Sequence, residues 1–134
     1  MVVAEEAPQT DSRRHGRVMR KLRNHLIGVQ QGSHIMFSDF EDGGPMWTGT
    51  GPREVRIRVP FDEPFKTPPV IIACLAMFDI DEATNQRVDL THGEVTTTAF
   101  DLVFRTWGDT RVARARADWT AMGEVRADDE WDID

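Results

Sequence analysis

This chain of 134 residues has one cysteine, Cys74, so it cannot close an intrachain disulfide. Cys74 sits in the apolar run VIIACLAMF, where a buried small hydrophobe is the expected role. No apolar stretch reaches the ~20 residues that a membrane-spanning helix needs. The opening MVVAEEAPQTD lacks the charged n-region and apolar h-region of a secretory signal, so the cytoplasm is the default expectation. Non-classical release or a particle-associated location stay open beside it. Basic residues are in the minority: 16 Lys and Arg face 23 Asp and Glu, a formal net charge of −7. That balance argues against phosphate-backbone binding, and so against nucleic acid as the main partner.

Signatures of catalysis are also missing. There is no Gly-x-Ser-x-Gly elbow, phosphate loop or dinucleotide fingerprint, and no carboxylate pair is imposed by spacing. No catalytic residue is nominated, and no cofactor is expected. His15, His25, His34 and His92 are scattered, and no pair has metal-ligand spacing. The run Asp79-Ile80-Asp81-Glu82 lacks the glycine and terminal glutamate of a calcium loop, so a solvated loop is expected there and no metal site is assigned.

Charge is unevenly spread. Residues 12–30 carry six basic side chains and no acidic one, whereas the tail from Glu124 carries six acidic residues and one base, Arg126. Residues 1–11 read as a disordered leader. Ser12 is placed to cap a helix running to about Gln30. Within it Met19, Leu22, Leu26 and Val29 follow the three- and four-residue steps of coiled-coil a and d positions. Two readings stand: a short oligomeric stalk, or one amphipathic helix lying on the domain. Residues 124–134 form an acidic tail.

From Gly32 the pattern turns to strands. Ser33–Phe37 is a short candidate, and residues 38–52 are rich in loop signals. Val55, Ile57 and Val59 alternate with Arg56 and Arg58. Val70–Phe78 is almost wholly apolar and reads as a central strand, with Asp79–Asn85 as a polar loop after it. Gln86–Glu94, Thr97–Arg105 and Arg111–Met122 complete the set. In the last, Ala113, Ala115, Ala117, Trp119 and Ala121 share one face in strict period-two alternation. Six short strands with tight connections predict an all-β fold, a six-stranded antiparallel sandwich over 31–123.

Trp119, among alanines, belongs to the core, and Trp47 is expected to pin its loop. Trp131, in the tail, is expected to be exposed or disordered. Trp107 differs, because it opens the turn Thr106-Trp107-Gly108-Asp109-Thr110. Arg87 heads the preceding strand. A flat apolar ring beside a fork of fixed donors suits the faces and hydroxyls of a sugar. The bland alternatives are a rim tryptophan and an ordinary surface cation.

Taken together, the residues resemble the H-type lectin family, which includes the snail agglutinin that binds N-acetylgalactosamine and is found in the discoidins. The resemblance covers about residues 29–122. Its elements are Val29-Gln30-Gln31-Gly32, Trp47, Arg53-Glu54-Val55, Phe61, Pro68-Pro69-Val70, Asp79, Asn85-Gln86-Arg87-Val88, Phe100, Thr106-Trp107, Asp109-Thr110 and Trp119. It implies a β-sandwich assembled as a trimer or hexamer, with sugar sites near protomer junctions. It also implies sugar contacts at Arg87 and Trp107, with Gly108, Asp109 and Gly51 completing the candidate carbohydrate-binding set.

The chain departs from the family pattern in three places. Gly108 stands where the snail protein has a sugar-contacting histidine. The loop Thr48–Pro52 is short and lacks the family's aspartate, for which Asp39 or Asp42 could substitute. Phe104 and Lys66 occupy two family cysteine positions. The reading that follows is a lectin for glycans ending in Gal or GalNAc-type sugars. The alternative is a structural or adhesive trimer, such as a phage-like fibre or particle component, whose sugar site is lost or altered.

Overall fold

The structure is a computed structural model and describes residues 19–23 and 26–127. Six strands form two three-stranded antiparallel sheets: β1 (Ile27–Ser38), β2 (Arg53–Pro60), β3 (Val70–Ile80), β4 (Val88–Gly93), β5 (Ala99–Thr106) and β6 (Val112–Glu124). One sheet has the order β1-β6-β3, the other β2-β5-β4. A four-residue helix, α1 (Pro45–Thr48), lies in the connection between β1 and β2. This is the six-stranded antiparallel sandwich that the alternation predicts. Among the described residues no helix is long and apolar enough to cross a membrane.

The two central strands explain how the sheets close. On β6, Ala115, Ala117 and Ala121 are fully buried, with Trp119 between them. On β5, Phe100, Leu102 and Phe104 point into the same core and are also fully buried. Large residues on one sheet pack against mostly methyl groups on the other across the interlayer space. Burying each large side chain contributes roughly 1.5–3 kcal/mol. Trp119 bridges the layers, 5.1 Å from Phe100 in an edge-to-face contact. Its indole lies under Gly32, where an added Cβ would come within 2.6 Å of the ring.

Three expectations are corrected. Ile27–Gln30 is strand rather than the end of a helix, because β1 pairs with β6 from Ile27↔Glu124 onward. Residues 19–23 are not helical either. The Arg23 N–H donates to Glu124 Oε2 at 2.7 Å, and the Val125 N–H to the Leu26 carbonyl at 3.1 Å. Pairing with the end of β6 thus outcompetes two heptads, too few to hold a helix alone. The rest of the expected helix, like the leader and most of the acidic tail with Trp131, lies outside the described residues.

Second, β3 is an edge strand and β6 the central one. The apolar run of β3 splits between two faces, with Ile71 buried inward and Ile72 57% exposed outward. Third, Cys74 shares that outer face and is exposed. Continuous hydrophobicity in β3 therefore marks an uncovered sheet face, not a strand flanked on both sides.

Candidate functional site

The site-bearing end of the sandwich is where β5 stops and β6 begins. Thr106 is paired with Arg53 of β2 on one side and Val88 of β4 on the other. The next residue, Trp107, therefore emerges between the start of β2 and the start of β4. It is 42% exposed, and its ring walls an open groove of about 230 Å³ with Pro52, Arg53 and Glu54. Exposure is the main feature that sets Trp107 apart from Trp119, which is 4% exposed.

Two buried threonines frame the turn and lock it to the Asn85–Arg87 segment. The Thr106 hydroxyl donates to the Arg87 carbonyl at 2.5 Å. The Thr110 hydroxyl donates to the Asn85 carbonyl at 2.6 Å and accepts the Arg87 N–H at 3.1 Å. Arg87 is thereby fixed at its backbone, with its head at the surface. Its Nη1 reaches Asp109 Oδ1 at 3.3 Å, and Asn85 Nδ2 donates to the same oxygen at 3.1 Å. The Asn85 amide, with the Arg87 charge adding to it, holds the Asp109 carboxyl below the usual carboxylate range.

Gly108 has φ +71°, a conformation that costs a side-chain-bearing residue about 1 kcal/mol. A Cβ there would stand 3.5 Å from Arg87 Nη1. Glycine thus leaves that side of the guanidinium uncovered. Gly51 approaches from the other loop, its N–H donating to the Gly108 carbonyl at 2.9 Å. The structure brings all five residues of the candidate set, Arg87, Trp107, Gly108, Asp109 and Gly51, to one end of the sandwich. The two proposed substitutes for the missing loop aspartate separate. Asp39 Oδ2 accepts the Met46 N–H at 2.9 Å and so serves the start of α1. Asp42 is exposed.

Two arginines were not legible as part of this end of the molecule. Arg53 donates to the carbonyls of Gly51 (2.8 Å), Gly108 (3.2 Å), Pro45 and Met46 (both 3.3 Å). Burial pushes its guanidinium down from its ordinary value, and it ties the β1–β2 connection to the β5–β6 turn. Arg111 donates to the Trp47 carbonyl at 2.9 Å, stacks 4.3 Å from the Trp47 ring centre and pairs with Asp81 at 3.5 Å. Trp47 does pin its loop, through this arginine. The sequence signals are slight: Arg111 lies next to a turn, and Arg53 does too and opens one element of the family resemblance. Among the described residues no group of three or more His, Cys, Asp or Glu is placed to hold a metal ion.

Comparison with known proteins bears on the family and the fold. The model of the H-type lectin domain matches residues 56–122. A protein of Fuscovulum blasticum described as ATP synthase subunits region ORF 7 is 55% identical over 81% of this chain and 94% of its own length. One of the discoidin-1 polypeptides of Dictyostelium discoideum is 40% identical over 55% of this chain and 30% of its own. The solved structure of wild-type discoidin II from the same organism superposes with a TM-score of 0.65 at 25% identity, covering 75% of this chain and 38% of that one. The chain therefore spans about a third of the discoidins it matches. It belongs to the H-type lectin domain family, a carbohydrate-binding and non-enzymatic kind of domain.

Proposed function

We propose that the protein is a multivalent lectin that binds terminal Gal or GalNAc-type sugars without chemical turnover. The observation that carries this is one turn that leaves the Trp107 ring exposed and, at the next residue, Gly108, leaves uncovered an Arg87 guanidinium held by Asp109. Trp107 packs against the apolar face of the sugar or its acetamido methyl, and Arg87 donates to ring hydroxyls. Asp109 orients Arg87 and presents its second oxygen as an acceptor.

A single shallow site of this kind is weak, because hydroxyls exchange water bonds for protein bonds with little net gain. Assembly as a trimer compensates, adding roughly a hundredfold or more in avidity when glycans engage together. Support for assembly comes from the outer face of the β1-β6-β3 sheet, where Val29, Ile35 and Ile72 are each more than half exposed. A glycan array run on the protein beside Trp107→Ala tests the reading. Binding to a Gal or GalNAc set that disappears in the variant is expected. Equal binding by both would remove the site.

A second reading, an adhesive or structural trimer with an altered sugar site, is favoured by one observation. The carboxylate of Asp39 is already engaged by α1, which leaves the short Thr48–Pro52 loop without an evident acceptor. A trimeric protein silent on the array would establish it.

A further inference from the structure

At the same end of the sandwich, a second cleft of about 370 Å³ opens between α1 and the ends of β1 and β3. That size falls within the ~300–1,000 Å³ of small-molecule sites. Its apolar corner is made by Phe40, 57% exposed, and Trp47, the two rings meeting edge to face at 5.0 Å and 77°. Trp47 is held in advance by Arg111, which stacks on its ring and binds its carbonyl. A ligand would therefore meet a ring already fixed in place.

The polar lip consists of Glu41, Asp79, Asp81 and Arg114. Asp79 pairs with Arg114 at 3.6 Å, and Asp81 with Arg111 at 3.5 Å. Most charge at the lip is thus internally compensated. What the lip offers is a set of oriented acceptors and a guanidinium donor, with little net attraction for a simple ion. An anion would meet the carboxylates, and a cation would compete with two arginines. An exposed Phe40 ring set against a half-buried Trp47, with a compensated donor and acceptor rim, matches a neutral polyhydroxylated ring.

We propose that this cleft is a second saccharide subsite, separate from the Arg87–Trp107 site, taking a neutral sugar residue against Phe40 and Trp47. The choice of a saccharide rests on the lectin reading; the cleft and its walls do not.

The test follows the indole N–H signals of the ¹⁵N-labelled full chain by NMR. The protein is titrated separately with galactose, N-acetylgalactosamine, glucose, mannose and fucose, and with choline as a cation control. The expected result is a saturable shift of the Trp47 signal with at least one sugar. That shift should persist in Trp107→Ala and be lost in Phe40→Ala with Glu41→Gln. A Trp47 signal unmoved by every sugar while Trp107 responds would overturn this inference and leave the lectin reading intact. If neither signal moves, both readings fail. A Trp47 shift that disappears in Trp107→Ala, or that follows choline and no sugar, would also overturn it. So would Phe40→Ala with Glu41→Gln dissociating the oligomer without changing the sugar titration, because the cleft would then be an interface between copies.

Discussion

One end of this sandwich holds two arginine–tryptophan pairs with opposite assignments. In the first, Arg111 lies on the Trp47 ring, binds its carbonyl and pairs with Asp81. In the second, Arg87 turns to Asp109, and the neighbouring Trp107 stays 42% exposed beside an open groove. The residue types are the same, so composition does not separate a structural pair from a binding pair. The difference lies in where the guanidinium donors go. Arg111 is committed to its own tryptophan, whereas Arg87 keeps a side uncovered by Gly108.

This contrast predicts opposite phenotypes. Trp107→Ala or Arg87→Ala should cost about 2 kcal/mol or more of sugar affinity, roughly thirtyfold, as central contacts do. Calorimetric titration reads that loss, and thermal melting should be unchanged, since neither side chain supports the core. Arg111→Ala should do the reverse. It gives up a cation–π contact, a hydrogen bond and an ion pair, together about 1–2 kcal/mol of stability. A lower Tm with sugar affinity at the Arg87–Trp107 site largely kept would bear out the assignment. A variant that melts normally and binds nothing would reverse it.

A smaller effect is expected at Gly108. Gly108→Ala adds about 1 kcal/mol of backbone strain at φ +71° and sets a methyl group 3.5 Å from Arg87 Nη1. Sugar affinity measured by titration should fall several-fold, and tighter binding would show that the open side is not used.

The smallest effect concerns Asp109, whose pKa is lowered by the Asn85 hydrogen bond and the Arg87 charge. A depressed folded-state pKa means the contact is fully formed above the ordinary carboxylate value and lost only below it. Binding should thus be flat from neutral pH down to about pH 4 and weaken at lower pH. Asp109→Asn should remove that acid limb at a modest cost in affinity. A limb that persists in the variant would assign it to another group.

Much of this architecture was legible in the sequence, for a physical reason. β2 and β6 each bury one face, so alternation in Val55–Val59 and Ala113–Ala121 reports the fold directly. The first part of β1 is hidden because Met19, Leu22, Leu26 and Val29 mimic heptad spacing, while the pairing that makes it a strand lies at the far end of the chain, at Glu124. β3 was placed centrally because an apolar run does not say which of its faces is covered. Arg87 and Trp107 stood out by residue type at a turn. Arg53 and Arg111 did not, because most of their partners are backbone carbonyls, and a carbonyl has no sequence signature. The clamping roles of Thr106 and Thr110 were hidden in the same way.

The central claim is that Trp107 and Arg87 form the surface that meets the sugar. The most direct test is a crystal structure of the protein with N-acetylgalactosamine bound. The account predicts a sugar ring against Trp107, with a hydroxyl within hydrogen-bond distance of the Arg87 guanidinium. A sugar bound elsewhere, with Trp107 and Arg87 facing solvent alone, would contradict it.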